Sequence, residues 1–149
     1  EFLVWAQKDK HSASLQRIQI IKGSITNSGA RPSEKVFDVV CSDGLKVDPT
    51  THRCPDNGAR VNIEDCSITS NVGATELKAT WRDPEFNPKD KAFYYVRVLE
   101  NPTCRWSTWD ALKAGIKPRS DLHETIQERA WSSPIWYIPV PEDIDIFAL

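Results

Sequence analysis

The side chains that usually carry chemistry are thinly spread in this chain. Its three histidines, His11, His52 and His123, lie far apart in turn-rich sequence. They form no H-x-H, H-E-x-x-H or similar spacing that would bring two imidazoles to one metal or one reacting atom, and they read as surface histidines. Ser132 and Ser133 precede Pro134 in a strand-like run. Without a G-x-S-x-G turn or a base close in sequence, they read as buried or edge-strand serines rather than nucleophiles. Glu100, Glu124 and Glu128 offer carboxylates, but nothing fixes the separation that a paired acid and base would need. Asp43, Asp48, Asp56 and Asp65 could give oxygens to calcium. Their order does not match an EF-hand, and acids beside Gly, Pro and Asn are ordinarily turn formers. Phosphate-binding glycine loops are absent. Arg105 beside Trp106 and Arg129 near Trp131 are candidates to steer an anion, the plainer reading being a guanidinium stacked on a ring.

Cys41, Cys54, Cys66 and Cys104 form an even set without C-x-x-C spacing. His52 lies two residues from Cys54, but the other sulfurs are scattered through loop-like sequence, so disulfides are the simpler use of the four. Two disulfides imply an oxidising compartment, periplasmic or secreted. Four cysteines allow three pairings and spacing does not choose among them; the preferred one joins Cys41 to Cys54 and Cys66 to Cys104.

These residues need a frame. At 149 residues and 40% hydrophobic, the chain suits a single domain over 1–149 that buries enough apolar surface to be stable. The formal charge of -2, from 19 basic and 21 acidic residues, favours neither nucleic acid nor an anionic membrane as a partner. There is no apolar run near 18 residues, and the opening EFLVWAQKDK lacks the order of a signal peptide. The chain contains no Met and opens directly on a strand-like run from Phe2 to Ala6, which leads to the expectation of a piece of a longer protein.

Period-two patterning dominates. Leu15 to Lys22, Val36 to Cys41 and Glu76 to Trp81 alternate as strands, the last with Leu77, Ala79 and Trp81 on one side and charged or polar residues on the other. Phe93 to Leu99 alternates less sharply and is the candidate for a central strand covered on both faces. Turn-rich loops span Gly23 to Ser33, Ser42 to Gly73 and Asp83 to Asp90. The middle one is long enough to need fastening, which its cysteines would supply. One short helix is predicted near 108–114, capped by Ser107 with Asp110 three residues on and stopped by Gly115. Pro134 marks a strand end or edge. The predicted fold is therefore mainly β: an antiparallel β-sandwich, immunoglobulin-like, with that helix and a long disulfide-fastened loop.

The last third is the most distinctive part. AFYYVRVLENPTCRWSTWDALKAGI and ETIQERAWSSPIWY hold four of the six Trp and all three Tyr, a composition suited to strands that build and cover a core. With LQRIQIIKG, EKVFDVV and ATWRDPEFNP, these blocks resemble the C-terminal region of the bacterial domain-of-unknown-function 3604 family, in the family's order and over most of the chain. The loop from Ser42 to Asn71 is the part that varies, and its cysteines look like a subgroup feature. Members of that family resemble metallohydrolases of the polymerase and histidinol phosphatase superfamily, whose H-x-H and S-D-x-H metal ligands lie upstream of this region.

The resemblance implies a non-catalytic accessory sandwich of a larger exported hydrolase or phosphoesterase. In it, divalent metals belong to the parent enzyme, this chain holds no cofactor, and the partner is the upstream catalytic domain. No catalytic or metal residue carries over, because no matching motif is present. Trp131, Ile135, Trp136 and Tyr137 are the expected docking side chains, and Arg105 and Arg129 the expected anion-steering ones. Two other functions compete. A free-standing carbohydrate- or protein-binding module would show an exposed aromatic platform, and a small independent hydrolase would need a convergent polar pocket.

Overall fold

Alternating side chains become strands wherever one face can be buried. The computed structural model describes residues 1–25 and 31–140, so the centre of the loop predicted over Gly23 to Ser33 lies outside the described residues. In chain order the elements are β1 (Phe2–Gln7), β2 (Leu15–Ile25), β3 (Ser33–Cys41), β4 (Glu76–Trp81), β5 (Lys91–Glu100), β6 (Thr103–Cys104), α1 (Trp106–Lys113), β7 (Thr125–Ile126), β8 (Arg129–Trp131) and β9 (Ile135–Tyr137). All strand pairings are antiparallel. The fold is mainly β with one short helix, as its alternating pattern predicts.

The main sheet has the order β3-β2-β5-β8, with β9 also on β5. β5 is thus an interior strand, as its weak alternation suggests. β2 is interior too, between β3 and β5, and a bulge lies between Ile18 and Gln19. Its IQII run is buried on both faces, Gln19 and Ile21 as fully as Ile18 and Ile20. A strand paired on both edges and covered on both sides has no wet side.

β8 and β9 line up along the outer edge of β5, separated by Ser132, Ser133 and Pro134. The Ser132 amide donates to the Val96 carbonyl, and the Ser132 hydroxyl accepts from the Val96 amide where a backbone carbonyl would otherwise stand. Proline without its N–H fits such an interrupted edge.

β1 and β4 form a second, two-stranded sheet against one face of the first. Their register pairs Phe2 with Trp81, Val4 with Ala79 and Ala6 with Leu77, which sends these six inward. The core between the sheets contains Val4, Leu15, Ile18, Ile20, Leu77, Ala92 and Tyr94, with Phe2, Trp81, Val96 and Val98 packed on it. Burying each large aliphatic there contributes about 1.5–3 kcal/mol.

The loop between β3 and β4 is fastened twice by disulfides, Cys41–Cys54 and Cys66–Cys104. A polar clamp fastens it again: Asn57 Nδ2 donates to Asn101 Oδ1 at 2.9 Å and to Ser42 Oγ at 3.1 Å, and Asn101 Nδ2 donates to the Val72 carbonyl. Gly73 closes this junction at φ +92°, where an added Cβ would come within 2.6 Å of Ser14 Cβ and Asn101 Nδ2.

The helix begins before the predicted position. Its N-cap is Arg105, no side chain caps it, and Ser107 lies inside its first turn. Its start is set by the residue before β7 instead: the Arg105 amide and the Thr108 hydroxyl both donate to the Glu124 carbonyl. Gly115 (φ +66°) ends it as predicted, with the Gly115 amide donating to Leu112 and the Ile116 amide to Ala111 in a Schellman arrangement.

Candidate functional site

Each acid considered for calcium already accepts hydrogen bonds, three of them within local turns and Asp43 from across the long loop. Asp48 accepts from the amides of Thr50 and Thr51, Asp56 from Gly58 and Arg60, Asp65 from Ser67, and Asp43 from Gly73. The Arg60 hydrogen bond holds the exposed Asp56 carboxyl down at about 2, and the Thr51 and Thr50 amides lower Asp48. Among the described residues no three His, Cys, Asp or Glu side chains converge to hold a metal. The histidines lie apart: the His52 ring packs on Phe37 at 5.1 Å, and His123 contributes its carbonyl to Arg105.

Two polar centres that sequence reasoning missed lie on opposite faces of the main sheet. On the core face, Lys22 of β2 donates to Asp83 Oδ2 at 2.6 Å and to the Glu85 carbonyl at 2.8 Å, and the Tyr94 hydroxyl donates to the same Asp83 oxygen at 2.8 Å. All three residues are buried. Burial pushes the Asp83 carboxyl up, but the Lys22 ammonium, the Glu85 amide and the Tyr94 hydroxyl outweigh it, so the group sits below its ordinary value. Burial, followed by the adjacent Asp83, pushes the Tyr94 phenol well above its ordinary value. A fixed charge pair holds the β4–β5 loop to β2.

On the outer face, the buried Asp38 of β3 accepts from Gln19 Nε2 at 2.5 Å and from the Cys54 amide at 2.7 Å. Arg97 Nε donates to Gln19 Oε1 at 2.7 Å. Arg17 Nε stands 3.7 Å and Arg53 Nη1 3.5 Å from the Asp38 oxygens. The Cys41–Cys54 disulfide keeps Arg53 here, because the Cys54 amide is the group bonded to Asp38. Both centres draw their charged groups from the sequence blocks quoted above, apart from Arg53 and Cys54 of the long loop. Spacing along the chain gave no sign of either, since their members are 11 to 78 residues apart.

The expected docking residues lie together on the sheet edge. Trp131 and Ile135 are each 59% exposed and Trp136 68%, whereas Tyr137 is half-buried, its ring edge-on to Phe86 at 5.0 Å and its hydroxyl donating to the Pro88 carbonyl. Register separates them by face. Trp131 lies opposite Arg97 and Trp136 opposite Phe93, on the outer face, while Ile135 lies opposite Tyr94 and Tyr137 opposite Ala92, on the core face. Beside the edge, a groove of about 400 Å³ is lined by Phe2, Arg82, Phe86, Tyr94 and Ile135 among others.

The two arginines expected to steer an anion lie on different elements: Arg105 donates its Nε to the His123 carbonyl, and Arg129 lies on β8 opposite Leu99. A second exposed pair was missed altogether. Leu3 (79% exposed) and Trp5 (67%) project outward from β1, on the side of the small sheet away from the core.

Fold and surface thus define a class: a sandwich of antiparallel sheets stapled by two disulfides, rich in exposed aromatic side chains. The chain belongs to the family described as Protein of unknown function (DUF3604), which it matches over residues 1–139. No curated protein and no solved structure matches it.

Proposed function

We propose that the chain is a non-catalytic C-terminal β-sandwich of a longer, exported metal-dependent hydrolase or phosphoesterase of the polymerase and histidinol phosphatase type. It packs on the upstream catalytic domain and shapes the side of that domain near the active site. The observation that carries this reading is the row of large apolar side chains left more than half exposed on one sheet edge, Trp131, Ile135 and Trp136. Rings of this size in the open favour burial against a partner, since each 100 Å² of apolar surface covered contributes about 2.5 kcal/mol. Family membership supports the reading through the resemblance of that family to metallohydrolases. The divalent metals and their ligands belong to the upstream domain, and neither nucleic acid nor membrane is a partner. Arg129, on the same edge strand as Trp131, is the better placed of the two arginines to steer an anionic substrate, Arg105 being tied to His123. The two disulfides favour a periplasmic or secreted setting.

The test uses the longer protein divided into its catalytic and sandwich parts. Trp136→Ala should weaken their association by on the order of 2 kcal/mol, measured by titration calorimetry. Unchanged association, with both parts still melting as one unit, overturns the docking reading.

A further inference from the structure

On the outer face of the main sheet, two guanidinium groups, those of Arg17 and Arg53, stand beside one carboxylate, and a third, that of Arg97, is linked to it through Gln19. Gln19 and the Cys54 amide already occupy Asp38, so Arg17, Arg53 and Arg97 leave this patch with an excess of positive charge. Asp38 is the only acid that pairs with Arg17 and Arg53 among the described residues, and Arg97 reaches it only through Gln19. Directly across from Arg97 stands the exposed Trp131.

From Arg97 a row of rings continues along the same face. Tyr95 and Phe93 are near-parallel at 11°, with centroids 6.4 Å apart, and Trp136 lies 5.2 Å from Phe93. The Phe93 ring lies across β2 at Gly23, where a Cβ would come within 2.3 Å of its carbons. Glycine there lets the ring lie down on the sheet.

Flat aromatic faces suit the C–H faces of sugar rings, and guanidinium groups bind carboxylates through paired, charge-assisted hydrogen bonds. We propose that this face binds an anionic polysaccharide, a chain of pyranose rings bearing carboxylates. Trp131, Tyr95 and Trp136 form the platform, and Arg97 with its neighbouring arginines receives the acid group. An acidic peptide would use the guanidinium groups and leave the row of rings idle; a neutral glycan would leave the charge idle. This site uses Trp131 and Trp136, the same rings as the docking reading, and is a rival use of them; ligand binding by this chain alone tests it, and association of the two parts tests docking, so either can fail without the other.

The experiment is titration calorimetry of the 149-residue chain with oligogalacturonate, with cello-oligosaccharide and poly-glutamate as comparison probes, at low and high salt. Oligogalacturonate should bind and weaken as salt rises. Arg97→Gln and Trp131→Ala should each reduce its affinity by about tenfold or more while the chain remains folded by circular dichroism, whereas Lys113→Gln on the exposed side of α1 should leave it unchanged. Three results overturn the site: no binding of oligogalacturonate at millimolar protein and ligand, binding that neither Arg97→Gln nor Trp131→Ala reduces, or equal affinity for poly-glutamate, which would make the ligand an acidic peptide.

Discussion

Asp83 is the residue on which one end of the fold depends. It neutralises a buried lysine and accepts a buried tyrosine hydroxyl, so removing its charge strands an ammonium group in the core. Asp83→Asn should lower stability by about 3–5 kcal/mol, and Tyr94→Phe, which removes one donor, by about 1–2 kcal/mol; guanidinium denaturation midpoints measure both. The same pair sets an acid limit. The folded Asp83 carboxyl lies below its ordinary value of 3.8, so its contribution is present above that value and is lost as pH falls through the lower folded one. Stability measured from pH 7 downward should therefore fall below about pH 4, and Asp83→Asn should flatten that part of the curve. Gly73 is a second fixed point: its positive φ and the absence of space for a Cβ make Gly73→Ala destabilising by about 2–4 kcal/mol. Neither residue announces itself in sequence. Asp83 reads as a turn former before Pro84, and its importance comes from Lys22, 61 positions away.

At the scale of elements, the long loop is where sequence and structure agree most closely. Its length called for fastening, and both disulfides adopt the preferred pairing. In the chain-entropy account, closing the shorter loop stabilises by about 3 kcal/mol and the longer by about 4 kcal/mol. Replacing Cys66 and Cys104 by serine should thus lower the denaturation midpoint more than replacing Cys41 and Cys54. On reduction, amide exchange should rise first in residues 42–73, while the interior strands β2 and β5 stay protected; simultaneous loss of protection in β2 would show that the loop is integral to the sheet.

The helix was the least legible element. Ser107 and Asp110 make a sound capping pattern, yet the start was fixed by the Glu124 carbonyl just before β7, a tertiary partner that no local window contains. The edge of β8 and β9 was better marked, because Pro134 cannot donate to a ladder and so confines its strand to an edge.

At the scale of the whole molecule, large apolar side chains are left exposed in several places, two of them being the edge and outer face bearing Trp131 and Trp136 and the outer side of β1 bearing Leu3 and Trp5. A single flat partner would not cover both, as they belong to opposite layers. In the longer protein of the proposed reading, the upstream chain enters beside β1, which makes Leu3 and Trp5 a second contact. Trp5→Ser should change the stability of this chain by less than about 0.5 kcal/mol, since the ring is exposed, and yet weaken association with the catalytic part. Equal association of wild type and Trp5→Ser would limit the contact to the C-terminal edge.

By itself, the sequence determined the mainly β class, most strand positions, the helix stop at Gly115 and the need to staple the long loop. These follow from short-range periodicity, backbone preference and chain length. Only the tertiary structure decided which polar groups meet. Lys22 with Asp83, and Gln19 with Asp38 and Arg97, are joined by strand register across the sheet, and register is fixed by the packing of the whole sandwich rather than by any neighbouring residues. It also decided which aromatic side chains stay outside. Composition marks a Trp as able to fill a core, but the pleat sends Trp81 inward and leaves Trp5, Trp131 and Trp136 in the open.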